Sequence, residues 1–167
     1  MGWFNVIKKA VNAEAREMNL SAPITGEYIP MEEINDEVFS QGILGEGCGI
    51  IPAEGNVYAP VDGEISMIAD TKHAIGISTD RGLEFMIHVG MDTVEMNGTG
   101  FEVKVSNGQK IERGELLLCF DMEKIKAAGY PTDTAFVVVE KGEFSELNLS
   151  VNRSYNKKEV IGKLRRG

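Results

Sequence analysis

From residue 21 onward, apolar and polar positions alternate in short runs separated by glycine-containing turns, and no long stripe at helical spacing interrupts them. This pattern predicts an all-β body. Two stretches break the rhythm, MEEINDEVFS over residues 31–40 and MEKIKAAG over 122–129, the second closed by Gly129 and Pro131. Both read as brief helices on the rim. Ala22-Pro23-Ile24-Thr25-Gly26-Glu27 recurs as Ala59-Pro60-Val61-Asp62-Gly63-Glu64, which predicts two related strand-turn-strand units inside one sandwich. The run from Asn107 to Leu116 sets a glycine at each of two turns about a short strand.

The opening MGWFNVIKKAVNAEARE follows a different period. Trp3, Phe4, Ile7, Ala10 and Val11 recur at helical spacing beside Lys8, Lys9 and Arg16. Residues 1–18 are therefore set apart as an amphipathic N-terminal segment, and 19–167 as one β-sandwich domain. Such a helix either lies in a membrane surface, its lysines on anionic lipid, or docks on its own domain. A myristoylation signal is not supported, since Val6 stands where Ser or Thr is needed.

Charge narrows the partners. Residues 17–152 hold 24 acidic and 8 basic side chains, a balance of -16, whereas residues 1–16 sum to +2 and 153–167 to +5. An acidic body between positive ends argues against nucleic acid and suits a basic protein surface. Cys48 and Cys119 form no disulfide framework. No apolar run has the length of a membrane span, and no signal peptide opens the chain. The expected location is the cytoplasm, with contact at the inner membrane face if residues 1–17 bind lipid.

The chain has two histidines, His73 in TKHAIGIST and His88 in FMIHVGMDTVE. Between them Thr79-Asp80-Arg81-Gly82 signals a turn, so residues 73–89 read as a β-hairpin. With the turn centred between Asp80 and Arg81, His73 opposes His88 on one face, and Ile75 and Met86 form the next pair on that face. Thr71 then opposes Gly90. A three-residue loop would move the register by one and set the histidines on opposite faces. Paired imidazoles suit phosphoryl transfer: one attacks phosphorus while its neighbour donates a hydrogen bond to the phosphoryl oxygens. The pairing alone leaves metal binding open.

APITGE, GILGEGCGI, APVDGEI, KHA, IHVGMDTVEM and NGQKIERGELL together resemble the glucose-family enzyme IIA component of the bacterial phosphoenolpyruvate-dependent sugar phosphotransferase system, from about Ala22 to about Ile161. The resemblance implies an antiparallel β-sandwich, phosphorylation on His88, support of the phosphoryl group by His73, and Thr71 hydrogen-bonded beside it. It implies HPr as donor, a cysteine of a permease IIB domain as acceptor, and no cofactor. It places partner contacts at Phe39, Ile75 and Met86, rimmed by Asp36 and Asp92. Asp92 also reads as a turn cap. Some relatives bind regulatory target proteins when unphosphorylated, in one case sharing zinc between the histidines and a partner carboxylate. The Met1 start and the length lead us to expect an independent polypeptide.

Two rivals share parts of the pattern. A lipoyl- or biotinyl-type swinging-arm carrier has A-P-x-x-G and G-x-x-I-x-x-G rhythms and would be modified on Lys72, but it has no use for two histidines. A zinc hydrolase of the lysostaphin type needs a further H-x-H pair, which two histidines cannot supply.

Overall fold

A computed structural model describes residues 16–167. The N-terminal amphipathic stretch lies almost wholly outside the described residues; Glu17 and Met18, its last members, instead open the first strand, Glu17–Ser21. Among the described residues the architecture is an antiparallel sandwich. An eight-stranded sheet runs in the order Ser154–Tyr155, Gly26–Pro30, Glu46–Pro52, Thr134–Lys141, Leu83–His88, Ala74–Ser78, Gly63–Ile68, Lys110–Ile111. Two three-stranded sheets accompany it. One joins Glu17–Ser21, Val160–Arg165 and Glu146–Leu149, the other Asn56–Tyr58, Leu116–Phe120 and Phe101–Val103.

The strand Leu83–His88 explains where the site lies. Its residues alternate in burial, with Leu83, Phe85 and Ile87 inward and Glu84, Met86 and His88 half-exposed, as a strand with one face on the core must. The inward set joins the main core with Ile75, Ile77, Phe136 and Val138, and the small sheets add Leu20, Val57, Leu117, Leu118 and Leu164. The opposite face carries a second, smaller apolar cluster of Met31, Ile34, Phe39, Met91, Ala135 and Val137, with Met86 packed against it. His88 thus ends a central strand, flanked on both sides by hydrogen-bonded neighbours, on the face that the smaller cluster supports.

The repeat read in the sequence is a pair of contacting units. Ser21 N–H donates to the Pro60 carbonyl at 3.0 Å, and Tyr58 N–H, at the equivalent position, donates to Pro23 at 2.8 Å. Ala22 pairs with Glu159 and Lys158, as Ala59 pairs with Glu115 and Gly114. The turn before the last strand therefore copies the turn after Ile111. Both rim helices are present and short. Residues 31–40 divide into a 3₁₀ turn, Met31–Glu33, and an α-turn, Glu37–Ser40; Met122–Ala127 forms the other, capped by the Asp121 carboxylate accepting from Lys124 N–H at 3.1 Å.

One prediction fails in the hairpin. Ala74, not His73, opposes His88, and Ile75 opposes Ile87, a slip of one residue. The loop has three residues rather than two: Thr79 N–H donates to Leu83 O at 3.0 Å and Gly82 N–H to Thr79 O at 3.2 Å. Gly82, at φ +78°, supplies the left-handed residue that such a loop needs. The Thr79 hydroxyl oxygen secures it by accepting from Arg81 and Leu83 N–H. Ile75 consequently turns inward and is fully buried, 0% exposed in the main core, so it offers nothing to a partner.

Candidate functional site

The slipped register should have separated the histidines, yet their rings meet edge to face with centroids 4.7 Å apart. The reason is that His73 precedes its strand, which begins only at Ala74. Lys72 takes a left-handed conformation, φ +63°, so strand alternation does not govern the next side chain. A hydrogen bond from Val89 N–H to His73 O at 2.7 Å fixes the backbone beside the partner strand. His73 is 7% exposed. Thr71 lies in the same turn, its hydroxyl oxygen 2.7 Å from His73 Nδ1.

His88 is held by its own chain. Its Nδ1 is 2.9 Å from the Gly90 carbonyl oxygen, which can only accept, so Nδ1 carries a proton. Gly90 sits at φ +74°, and a Cβ there would meet Thr93 Cγ2 at 2.4 Å. The glycine is required both by the turn and by the threonine packed over it. Phe39, 4% exposed, tilts against the His88 ring with centroids 4.9 Å apart.

Burial pushes the His88 pKa down to about 4, and the neighbouring His73 adds to the shift; the Gly90 carbonyl and the Asp36 charge oppose it. Burial also lowers His73. A neutral His88 with its proton on Nδ1 presents a lone pair at Nε2.

The remaining predicted residues divide. Asp36 is half-buried, and its carboxylate caps the α-turn by accepting from Val38 N–H at 2.9 Å, while its charge reaches His88. That turn carries Phe39. Met86 is half-buried on the His88 face. Asp92 is exposed at φ +60° and precedes the 3₁₀ turn Thr93–Met96, but its side chain makes no capping bond, contrary to the capping read in D-T-V-E. A side-chain cap goes with an extended backbone at the capping residue, and Asp92 is left-handed instead.

Several site features had no individual signal. Val38, next to Phe39, and Val94, next to Thr93, are 42% and 47% exposed; isolated exposed valines read as ordinary. The Gly90 carbonyl and buried Thr93 were also missed, although the glycine two residues after a histidine was a usable cue.

The sequence model of the phosphoenolpyruvate-dependent sugar phosphotransferase system, EIIA 1, matches residues 18–144. The chain is 42% identical over 137 residues to the PTS system beta-glucoside-specific EIIBCA component of Halalkalibacterium halodurans, covering 82% of this chain and 22% of that protein. It thus spans only 22% of that curated relative's length. Among solved structures it is similar to the glucose permease IIA from Mycoplasma capricolum, with a TM-score of 0.83, 30% identity, and coverage of 89% of this chain and 96% of that one. Nothing in these similarities supports a lipoyl- or biotinyl-type carrier with a modified Lys72. With the family's sequence model matched over most of its length, the chain belongs to the EIIA 1 family of the phosphoenolpyruvate-dependent sugar phosphotransferase system.

Proposed function

We propose that the chain carries a phosphoryl group on His88 Nε2, accepting it from the phosphohistidine of HPr and passing it to a cysteine thiolate of a permease IIB domain. The observation that carries this reading is the bond from His88 Nδ1–H to the Gly90 carbonyl, in a ring that burial keeps neutral. Together they leave Nε2 as the nucleophile.

In the accepting step the Nε2 lone pair forms the new P–N bond as the donor's P–N bond breaks, and the leaving imidazole takes that bond's electron pair. His73, with ring centroids 4.7 Å away, is close enough to touch the same phosphoryl group. This role needs the Thr71 hydroxyl, 2.7 Å from Nδ1, as donor to that nitrogen, with the single proton of neutral His73 on Nε2. From there it stabilises the phosphoryl oxygens. Onward transfer reverses the polarity: the thiolate attacks phosphorus, and the electron pair returns to His88 Nε2.

Docking follows from the surroundings. Val38, next to Phe39, and Val94, next to Thr93, are exposed apolar side chains, Met86 and Phe39 share the smaller apolar cluster, and Asp36 and Asp92 add negative charge. This suits a partner with an apolar centre and a basic rim.

Incubation with enzyme I, HPr and labelled phosphoenolpyruvate tests the reading. An acid-labile label on the protein is expected, and none would refute it. His73→Gln should still be labelled but should pass phosphate to IIB about a hundredfold more slowly, since the amide cannot keep the imidazole's donor geometry at the phosphoryl oxygens. Unchanged transfer would remove His73 from the mechanism.

A further inference from the structure

Thr93 stands outside the phosphoryl-binding pair, yet it is buried, 0% exposed, and its hydroxyl donates to the Val89 carbonyl at 2.6 Å. That carbonyl belongs to a short segment fastened at three points. Val89 N–H donates to His73 O at 2.7 Å, Val89 O accepts from Thr93, and Met91 N–H donates to Pro131 O at 3.2 Å. Between them lies Gly90, whose own carbonyl holds the ring of His88 at 2.9 Å. Free rotation of the peptide planes on either side of a glycine would let that carbonyl swing away. The three bonds remove this freedom.

We propose that Thr93 is a positioning residue: through Val89 and Gly90 it keeps the Gly90 carbonyl on His88 Nδ1, and so selects the tautomer in which Nε2 is free to attack. Its methyl contributes as well, because Cγ2 occupies the space where a Cβ on Gly90 would stand, 2.4 Å away, and packs the turn against movement. Val89 also anchors His73, through the N–H of the preceding peptide unit, which donates to His73 O. The Thr93 hydroxyl thus holds the residue that lies between the two imidazoles without touching either ring. An imidazole with its proton on the wrong nitrogen keeps its place but loses its function as nucleophile. The inference rests on the phosphoryl-carrier reading for its consequence, but its structural content is the tautomer.

The test is therefore made first on unphosphorylated protein, by long-range ¹H–¹⁵N NMR of ¹⁵N-histidine-labelled samples at pH 7. The unsubstituted chain should show His88 as a single Nδ1–H tautomer; an Nε2–H ring there overturns the inference, whatever any variant does. Thr93→Val, close to isosteric and without the hydroxyl, should show a substantial Nε2–H population, and Thr93→Ser should restore the Nδ1–H form. With enzyme I, HPr and phosphoenolpyruvate, the valine variant should be labelled about tenfold more slowly, as expected for about 1.4 kcal/mol from one hydrogen bond. The serine variant should stay within about twofold. A folded valine variant with an unchanged His88 tautomer would show that Thr93 only packs. If the valine variant does not fold, the unsubstituted and serine proteins still decide, since a serine variant with a mixed tautomer contradicts the role given to the hydroxyl. Absence of labelling in the unsubstituted protein would instead remove the carrier reading and leave the tautomer result standing.

Discussion

At the residue scale, the central pair is kept uncharged by its surroundings. Burial pushes His88 down to about 4, with His73 contributing, and burial lowers His73 too. An unfolded histidine titrates near ~6.5, so between that pH and about 4 the unfolded chain takes up a proton that folded His88 refuses. Stability from this ring is fully present above the unfolded pKa and is lost as pH falls toward the folded one. While the one-proton difference holds, the slope is roughly 1.4 kcal/mol per pH unit. Urea unfolding from pH 4 to 7 should therefore show a shallower acid loss for His88→Gln than for the unsubstituted protein. Equal slopes would contradict a buried neutral ring. That His73, Thr71 and His88 lie together was legible because the motif is dense in unusual residue types. The inward turn of Ile75 was not, since it depends on a one-residue difference in loop length that Thr79-Asp80-Arg81-Gly82 permits either way.

At the scale of elements, the site is assembled by turns more than by strands. Leu83–His88 supplies one ring at its end, a left-handed Lys72 precedes the other, and the α-turn Glu37–Ser40 brings Phe39 against His88. Asp36 has two separable duties there, a cap to Val38 N–H and a charge that reaches His88. Asp36→Ala should cost about 1 kcal/mol as a lost cap, whereas Asp36→Asn should hold stability to within a few tenths. Both should slow transfer from HPr if the charge attracts the donor. Denaturant midpoints and transfer rates measured together separate the duties, and an asparagine variant with unchanged rates would leave Asp36 only its capping role. The rim helices could be read from their caps and apolar spacing. The positive-φ residues Lys72 and Asp92 could not, because nothing in a lysine or aspartate requires a left-handed backbone and tertiary contacts impose it.

On the scale of the whole molecule, the repeated A-P-x-x-G-E segments foretold two related units, and the structure joins them by reciprocal bonds between Ser21 and Pro60 and between Tyr58 and Pro23. The pattern left the last turn unmatched because Lys158 stands where the other unit has Gly114, although both have positive φ. Charge is also distributed over the whole chain, with an acidic body between basic ends. If residues 1–17 tether the carrier to a membrane, their deletion should abolish binding to anionic liposomes in sedimentation; equal binding with and without them would end that idea. The central claim remains the passage of a phosphoryl group through one nitrogen. The most direct measurement is ³¹P–¹⁵N coupling in the ¹⁵N-histidine protein after phosphorylation by enzyme I, HPr and phosphoenolpyruvate. Coupling to His88 Nε2 is expected, and coupling to His88 Nδ1 or to either nitrogen of His73 would contradict the account.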